Sequence, residues 1–308
     1  MRVGLLALLA AVRDERYPVV VRWLVVCLAA CGFRPGSLGG IEILDGPPDA
    51  GDAAIDAPVM LGPWGSATVV FAATGDDDPT LTGDLLELYF NRASDIYVST
   101  RATTNVAWGT PTLVAELSST STETTPEITS DGLTIYITSG RTGTLGMGDV
   151  WVSTRATRSD PWSTPIQVGE LCSTVDDAAP TPTDDQLVLV MTSPRADSAG
   201  FYDVYFSERA SPTATWSTPV NLMTVNSNSN DYSPMLSQDR LTLYFDSGRT
   251  GVSEELFMAT RASTADSFST PVPITELNTG ASESDPWVSP DRRHIYFERA
   301  GSLYEARR

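Results

Sequence analysis

Five acidic residues recur at one offset in the chain: Asp76, Glu123, Asp177, Asp231 and Glu283 each stand three residues before a proline (Pro79, Pro126, Pro180, Pro234, Pro286). Carboxylates gathered in a ring are the oxygen donors a hard cation such as calcium takes. Two of them at a set separation can also act on a glycosidic bond as acid and nucleophile or base. An arginine follows each proline within the same stretch (Arg92, Arg141, Arg195, Arg249, Arg299), and a guanidinium paired with each carboxylate would occupy it. Recurrence favours that second outcome, because a residue needed in every unit does the same structural job each time, whereas a site should break the symmetry. Other chemistry is scarce. His294 is the single histidine, so a Ser-His-Asp triad or a His-rich metal site has almost nothing to use. No Cys-x-x-Cys, Walker loop or Gly-x-Ser-x-Gly elbow occurs. No cofactor is expected beyond calcium at the ring, and no catalytic residue is assigned.

The elements that must position these groups come from a repeat. Five residues after each proline stands an aspartate (Asp84, Asp131, Asp185, Asp239, Asp291), and ten after it Tyr89, Tyr136, Val190, Tyr244 or Tyr296, inside an apolar run such as LTIYIT or LTLYFD. That pattern predicts a strand. A second short run then ends in arginine: Arg101, Arg155, Arg209, Arg261 and Arg308. Trp108, Trp162, Trp216 and Phe268 follow the first four, each opening an aromatic-x-Thr-Pro turn. The fifth unit stops at Arg308, and its missing piece stands before the first, where Trp64-Gly-Ser-Ala-Thr-Val-Val-Phe matches the stretch from Trp108. About 50 residues and four short strands per unit is a propeller-blade period. The expected fold is an all-β five-bladed β-propeller over 61–308, with four antiparallel strands per blade, closed by an N-terminal outer strand (about 64–71) that joins the C-terminal blade.

The unit Pro126 to Pro165, and TSDGLTIYITSGR within it above all, resembles the TolB-type β-propeller repeat: a proline, S-x-D-G, an apolar strand, S-x-R and a D-I-Y-V strand. The resemblance covers roughly 61–308 and implies a propeller that serves an envelope complex or protein partner. Five-bladed propellers also include glycoside hydrolases, so the alternative reading is a carbohydrate-active enzyme using channel carboxylates. Acids all paired with repeat arginines would favour the first; a channel pair lacking arginine would favour the second.

Within the blades, the aspartate at proline plus five and the arginine ending the third strand fall on one face. Candidate ion pairs are therefore Asp84 with Arg101, Asp131 with Arg155, Asp185 with Arg209, Asp239 with Arg261 and Asp291 with Arg308. The recurring tryptophans are expected to pack between blades rather than serve as sugar platforms. Asymmetry lies in the loop after the second strand. Its span is three residues in blades 1 and 5 (Arg92 to Asp95, Arg299 to Ser302), eight in blades 2 and 3, and six in blade 4. Long loops on a rigid scaffold commonly bind, which makes Thr142, Leu145, Met147, Asp197, Phe201 and Tyr202 candidate ligand-binding residues.

Twenty basic residues, all arginine, face 39 acidic ones, for a net charge of -19, which excludes nucleic acid as a partner. Residues 1–31 have the form of an export signal ending in Leu28-Ala29-Ala30-Cys31, similar to a bacterial lipobox, with Cys31 the expected lipidation site. Residues 32–60, rich in Asp, Pro, Gly and Ala, are expected to be a disordered tether. The expectation is then an exported, monomeric, outer-membrane-anchored lipoprotein that meets the membrane only through its anchor. Its partner would be an envelope protein or a small polar ligand. Only Cys172 would remain in the mature domain, as a small buried apolar side chain.

Overall fold

The computed structural model describes residues 61–71, 75–251 and 253–308. The expected signal, Cys31 and the tether lie outside the described residues. The chain forms strand β1 (Thr68–Phe71) and then blade 1, made of β2 (Asp76–Leu81), β3 (Glu87–Arg92), β4 (Asp95–Thr100) and β5 (Thr112–Leu113). Blade 2 has β6 (Glu123–Ile128), β7 (Thr134–Ser139), β8 (Asp149–Thr154) and β9 (Ile166–Gln167). Blade 3 has β10 (Ala178–Pro182), β11 (Val188–Ser193), β12 (Asp203–Glu208) and β13 (Val220–Asn221). Blade 4 has β14 (Asp231–Leu236), β15 (Thr242–Ser247), β16 (Glu255–Thr260) and β17 (Val272–Pro273), and blade 5 has β18 (Glu283–Val288), β19 (His294–Arg299) and β20 (Ser302–Arg307). Each blade is a four-stranded antiparallel sheet, and β1 is the fourth strand of blade 5, beside β20.

The second strand of each blade explains the apolar runs. Strands β7, β11 and β15 are buried at every residue, because each is covered by a neighbouring blade on both faces. The outermost strands of blades 1 to 4 are only two residues long, and β17 contains Pro273, which keeps the sheet edges short.

The closing strand starts at Thr68, four residues later than the sequence match begins, because Trp64 and Gly65 form the approach to it. The Gly65 amide donates to the Arg307 carbonyl at 2.8 Å, as Gly109 does to Thr100 at 2.9 Å and Ser163 to Thr154 at 2.9 Å in complete blades. Trp64 is 5 % exposed and lies under the Arg308 guanidinium at 3.9 Å.

That stacking recurs, and it overturns the first set of ion pairs. Arg101, Arg155, Arg209 and Arg261 lie over Trp108, Trp162, Trp216 and Phe268 at 4.1, 4.4, 4.1 and 4.5 Å. Their Nε groups donate to backbone carbonyls in the turn after the first strand, not to the aspartates. The stack also reaches across blades: Arg155 pairs with Glu87 of blade 1 at 2.7 Å, and Trp162 meets Tyr89 edge-on at 6.1 Å. The aspartates stay within their own turns. Asp131 accepts from Thr129 Oγ1 and the Leu133 amide, and Asp84, Asp185, Asp239 and Asp291 do the same. A short carboxylate reaches an amide two residues on more easily than a guanidinium in another strand. Where arginine does meet them it comes from an adjacent blade, as with Arg158 and Asp84 at 2.5 Å.

Candidate functional site

The five proline-minus-three acids open the innermost strands, Asp177 standing one residue before β10, and are fully buried. All five meet their arginines: Asp76 with Arg92 at 2.5 Å, Glu123 with Arg141 at 3.2 Å, Asp177 with Arg195 at 2.8 Å, Asp231 with Arg249 at 2.5 Å and Glu283 with Arg299 at 2.7 Å. The guanidiniums also cover aromatic rings, such as Phe257 under Arg249 at 4.8 Å. In blades 2 to 5 the acid also accepts from the amide four residues before it, such as Ser227 to Asp231 at 2.7 Å. Each acid of this ring is neutralised by its own arginine, and none of the five is among the residues lining the axial spaces.

The channel is lined instead by the residue just before each proline: Asp78, Thr125, Ala179, Ser233 and Asp285. Each has a left-handed backbone, with φ of 52°, 45°, 49°, 44° and 54°, and each sits in a β-bulge of its innermost strand. Non-glycine residues there carry strain of about 1–3 kcal/mol each. The bulge turns one amide toward the neighbouring blade: Thr125 donates to Asp78 at 3.1 Å, Ala179 to Thr125 Oγ1 at 3.2 Å and Asp285 to Asp246 at 3.2 Å. Three of the blade junctions, 1–2, 2–3 and 4–5, are thus tied, while the side chains of the ring differ.

Those differences concentrate acid on one side. Asp77 and Asp78 of blade 1 and Asp285 of blade 5 present carboxylate oxygens all within 4.8 Å of one another. Asp246 of blade 4 and Glu298 of blade 5 are buried beside them, at 1 % and 8 % exposure. None of the ion pairs found among the described residues involves any of these five. The charge of Asp285, with burial, pushes Asp77 up to about 9. Burial, and then Asp285, pushes Asp78 and Asp246 well above the ordinary carboxylate range, and burial raises Glu298. The short Ala93-Ser94 and Ala300-Gly301 hairpin turns, left-handed at both residues, keep this side low, as the loop lengths predict.

The space itself is small. At the axis only ≈ 20 Å³ is open to the centre of a water-sized sphere, and ≈ 10 Å³ farther along. A groove of ≈ 450 Å³ lies far from the channel acids, between the outer edges of blades 3 and 4. Grooves of ≈ 220 and ≈ 270 Å³ repeat it at two other blade junctions, so it belongs to the repeat geometry.

Glu127 also reaches the axis, accepting from Thr80 Oγ1 at 2.9 Å, and burial pushes it from 4.5 up to about 8. An acid with a raised folded value binds its proton more tightly folded than unfolded. Its contribution is therefore most favourable below pH 4.5 and is lost as pH rises to about 8. Glu127→Gln should flatten this slope by roughly 1–3 kcal/mol between pH 5 and 8. Urea unfolding of both proteins across that range checks it, and parallel profiles would refute it.

The loop candidates sit on the tall side of the same face. Leu145, Met147 and Phe201 are 59, 87 and 67 % exposed. Thr142 and Asp197 are exposed too, though Asp197 accepts from Tyr205 Oη at 2.7 Å and is partly committed to its own loop. Tyr202 donates to Asp176 at 2.8 Å and packs on Phe201 and Tyr232, with ring centres 5.0 and 4.7 Å away. The blade 2 loop leans on the same Val175-Asp176 segment, so a Cβ at Gly146 would fall 1.9 Å from the Val175 carbonyl oxygen. The structure joins these loop residues into one rim and leaves them apart from the channel acids. His294 is held by Glu305 at 2.8 Å, and burial raises the Cys172 thiol to about 12.

The channel acids were accessible to sequence reasoning. At the position before the proline the five units read Asp, Thr, Ala, Ser, Asp, and twelve after it Asn91, Thr138, Thr192, Asp246, Glu298. These offsets vary where the ring acids do not.

No protein-family model matches the chain, and no curated protein does. Solved structures do. The chain is similar to an endo-arabinase from Bacteroides thetaiotaomicron (12% identity, 79% of this chain, 97% of that one, TM-score 0.59) and to a thermostable family-43 glycoside hydrolase (13%, 76%, 89%, 0.55). It is also similar to TolB from Acinetobacter baumannii (14%, 78% of this chain, 56% of that one, TM-score 0.46). At such identities the likeness extends to the fold alone: TolB and carbohydrate-active enzymes are both among the structures to which this five-bladed β-propeller is similar.

Proposed function

We propose that the chain is an exported, lipid-anchored propeller acting as a non-enzymatic binding module of the bacterial cell envelope. The observation that carries this reading is the size of the channel mouth. A space of ≈ 20 Å³ holds a water or an ion and no sugar ring. The rim of blades 2 and 3 meanwhile presents Leu145, Met147 and Phe201 to solvent, a combination that suits a protein partner. Export and anchoring rest on the leader ending at Cys31.

The glycoside hydrolase reading has one observation in its favour: Asp77, Asp78 and Asp285 lack arginine partners. Against it, one oxygen from each lies within 4.8 Å of the others, short of the roughly 6.5–9.5 Å of inverting pairs, and the ≈ 20 Å³ at the axis admits no sugar ring to be cleaved by a retaining pair. Photo-crosslinking residues placed at Met147 and Phe201 of the full chain should trap one discrete envelope protein, while the same group at Val220, exposed on β13, should not. Equal capture from all three positions would end the rim reading. Hydrolysis of aryl arabinosides that disappears in Asp285→Asn would establish the enzyme instead.

A further inference from the structure

We propose that the mouth of the propeller channel is a binding site for one calcium-sized divalent cation, held by Asp77, Asp78 and Asp285 with the amide oxygen of Asn91. It is distinct from the ring of arginine-paired acids and independent of the rim assigned above to a partner.

Four observations carry it. The first is spacing. Calcium takes oxygens at about 2.3–2.6 Å, so two ligands on opposite sides of one ion stand at most about 5 Å apart. One oxygen from each of the three aspartates satisfies that limit, with mutual distances within 4.8 Å. The second is that, among the described residues, no cation pairs with these three aspartates. The chain has no lysine, and the nearest ring arginines, Arg92 and Arg299, are engaged with Asp76 and Glu283 at 2.5 and 2.7 Å. The third is Asn91. It is 8 % exposed, yet its Oδ1 has no hydrogen-bond partner. It lies directly across from Asp77 in the β2–β3 ladder, so the two side chains project from the same face of blade 1. A buried carbonyl oxygen left unmatched costs about 1–3 kcal/mol, and a hard cation is the partner that an acceptor-only atom across from the Asp77 carboxylate would take. The fourth is room: the axial space of ≈ 20 Å³, bordered by Asp78 and Asp285, suits an ion with a water or two and little else.

The surroundings hold these ligands in place. Asp78 accepts from the Thr125 amide at 3.1 Å, Asp285 from Ser233 Oγ at 2.5 Å, and the Asp285 amide is tied to Asp246 at 3.2 Å. These bonds tie blade 1 to blade 2 and blade 5 to blade 4, and a cation shared by Asp77, Asp78 and Asp285 would join blades 5 and 1. Calcium suits the set better than magnesium, which demands near-octahedral geometry at about 2.0–2.1 Å and gives up its waters reluctantly.

The test uses the full chain, stripped with chelator, and calcium chloride as the probe. Isothermal titration should give one site per chain, and calcium should raise the unfolding temperature. Asp285→Asn and, separately, Asn91→Leu should each weaken binding about tenfold or more. Glu116→Gln, an exposed acid elsewhere, should leave it unchanged. Asn91→Leu removes the orphaned oxygen without adding charge, so it keeps the test open if the aspartate variant folds poorly. Absence of one-to-one binding at millimolar calcium would overturn the proposal. So would binding that survives both variants, which would place the cation elsewhere, for instance on Asp45, Asp49, Asp52 and Asp56. Crosslinking at Met147 reads a separate surface, so either proposal can fail alone.

Discussion

An Arg249→Met variant should lose about 3–5 kcal/mol of unfolding free energy, because it leaves the Asp231 carboxylate buried with no counter-charge. Asp231 is fully buried, and Arg249 is its only ion-pair partner among the described residues, at 2.5 Å. The guanidinium also donates to the Val225 carbonyl at 2.9 Å and to Ser247 Oγ at 2.9 Å, and it covers Phe245 and Phe257. Methionine keeps most of the apolar stem over those rings, so the loss isolates the charge. The double variant Asp231→Leu/Arg249→Met should recover part of it, since two well-packed apolar residues in place of a buried pair are often neutral. Urea denaturation with a common m-value measures both. A single-variant loss below about 1 kcal/mol would show that water reaches Asp231 and that the ring contributes little to the fold.

Removing residues 61–71 should have a still larger effect, because it opens the ring. The deletion takes away β1, the Gly65 amide bond to Arg307 and Trp64 beneath Arg308. Trp64→Ala alone should cost about 3–5 kcal/mol, as expected for a buried tryptophan. With the whole strand gone, β20 becomes a six-residue open edge, free to pair with another copy. The expected outcome is loss of a single cooperative unfolding transition, with oligomers in size-exclusion chromatography. A monomer unfolding cooperatively at the original midpoint would show that blade 5 stands on three strands and that the closing strand is an accessory.

Both results depend on features that were visible as spacing. The Trp64-Gly65 match to Trp108-Gly109 located the closing strand, although β1 itself begins only at Thr68, where pairing with Glu305 starts. The fivefold acid and arginine offsets likewise pointed to the five buried pairs. Repetition made these legible, because the same contact recurring in each unit leaves the same residue types at the same offsets.

The other face misled for a physical reason. Asp84 and Arg101, and their counterparts, do share a face, yet spacing along the chain carries no information on which neighbour each group meets first. The aspartates found amides two residues away, and the arginines found the tryptophans and adjacent blades. Acids that recur were legible, and the unequal residues before each proline were visible as such, but the meeting of Asp78 with Asp285 was not, because the two are 207 residues apart in sequence order and come together only when blade 5 closes against blade 1.

The sequence by itself thus determined the number of blades, the strands within them, the closure and the buried ion-pair ring, all of which rest on local patterns repeated five times. Only the tertiary structure decided which carboxylates face the axis and how little space they enclose. A β-bulge with a left-handed residue turns the position before each proline inward, and ring closure brings the unequal side chains of blades 5 and 1 together.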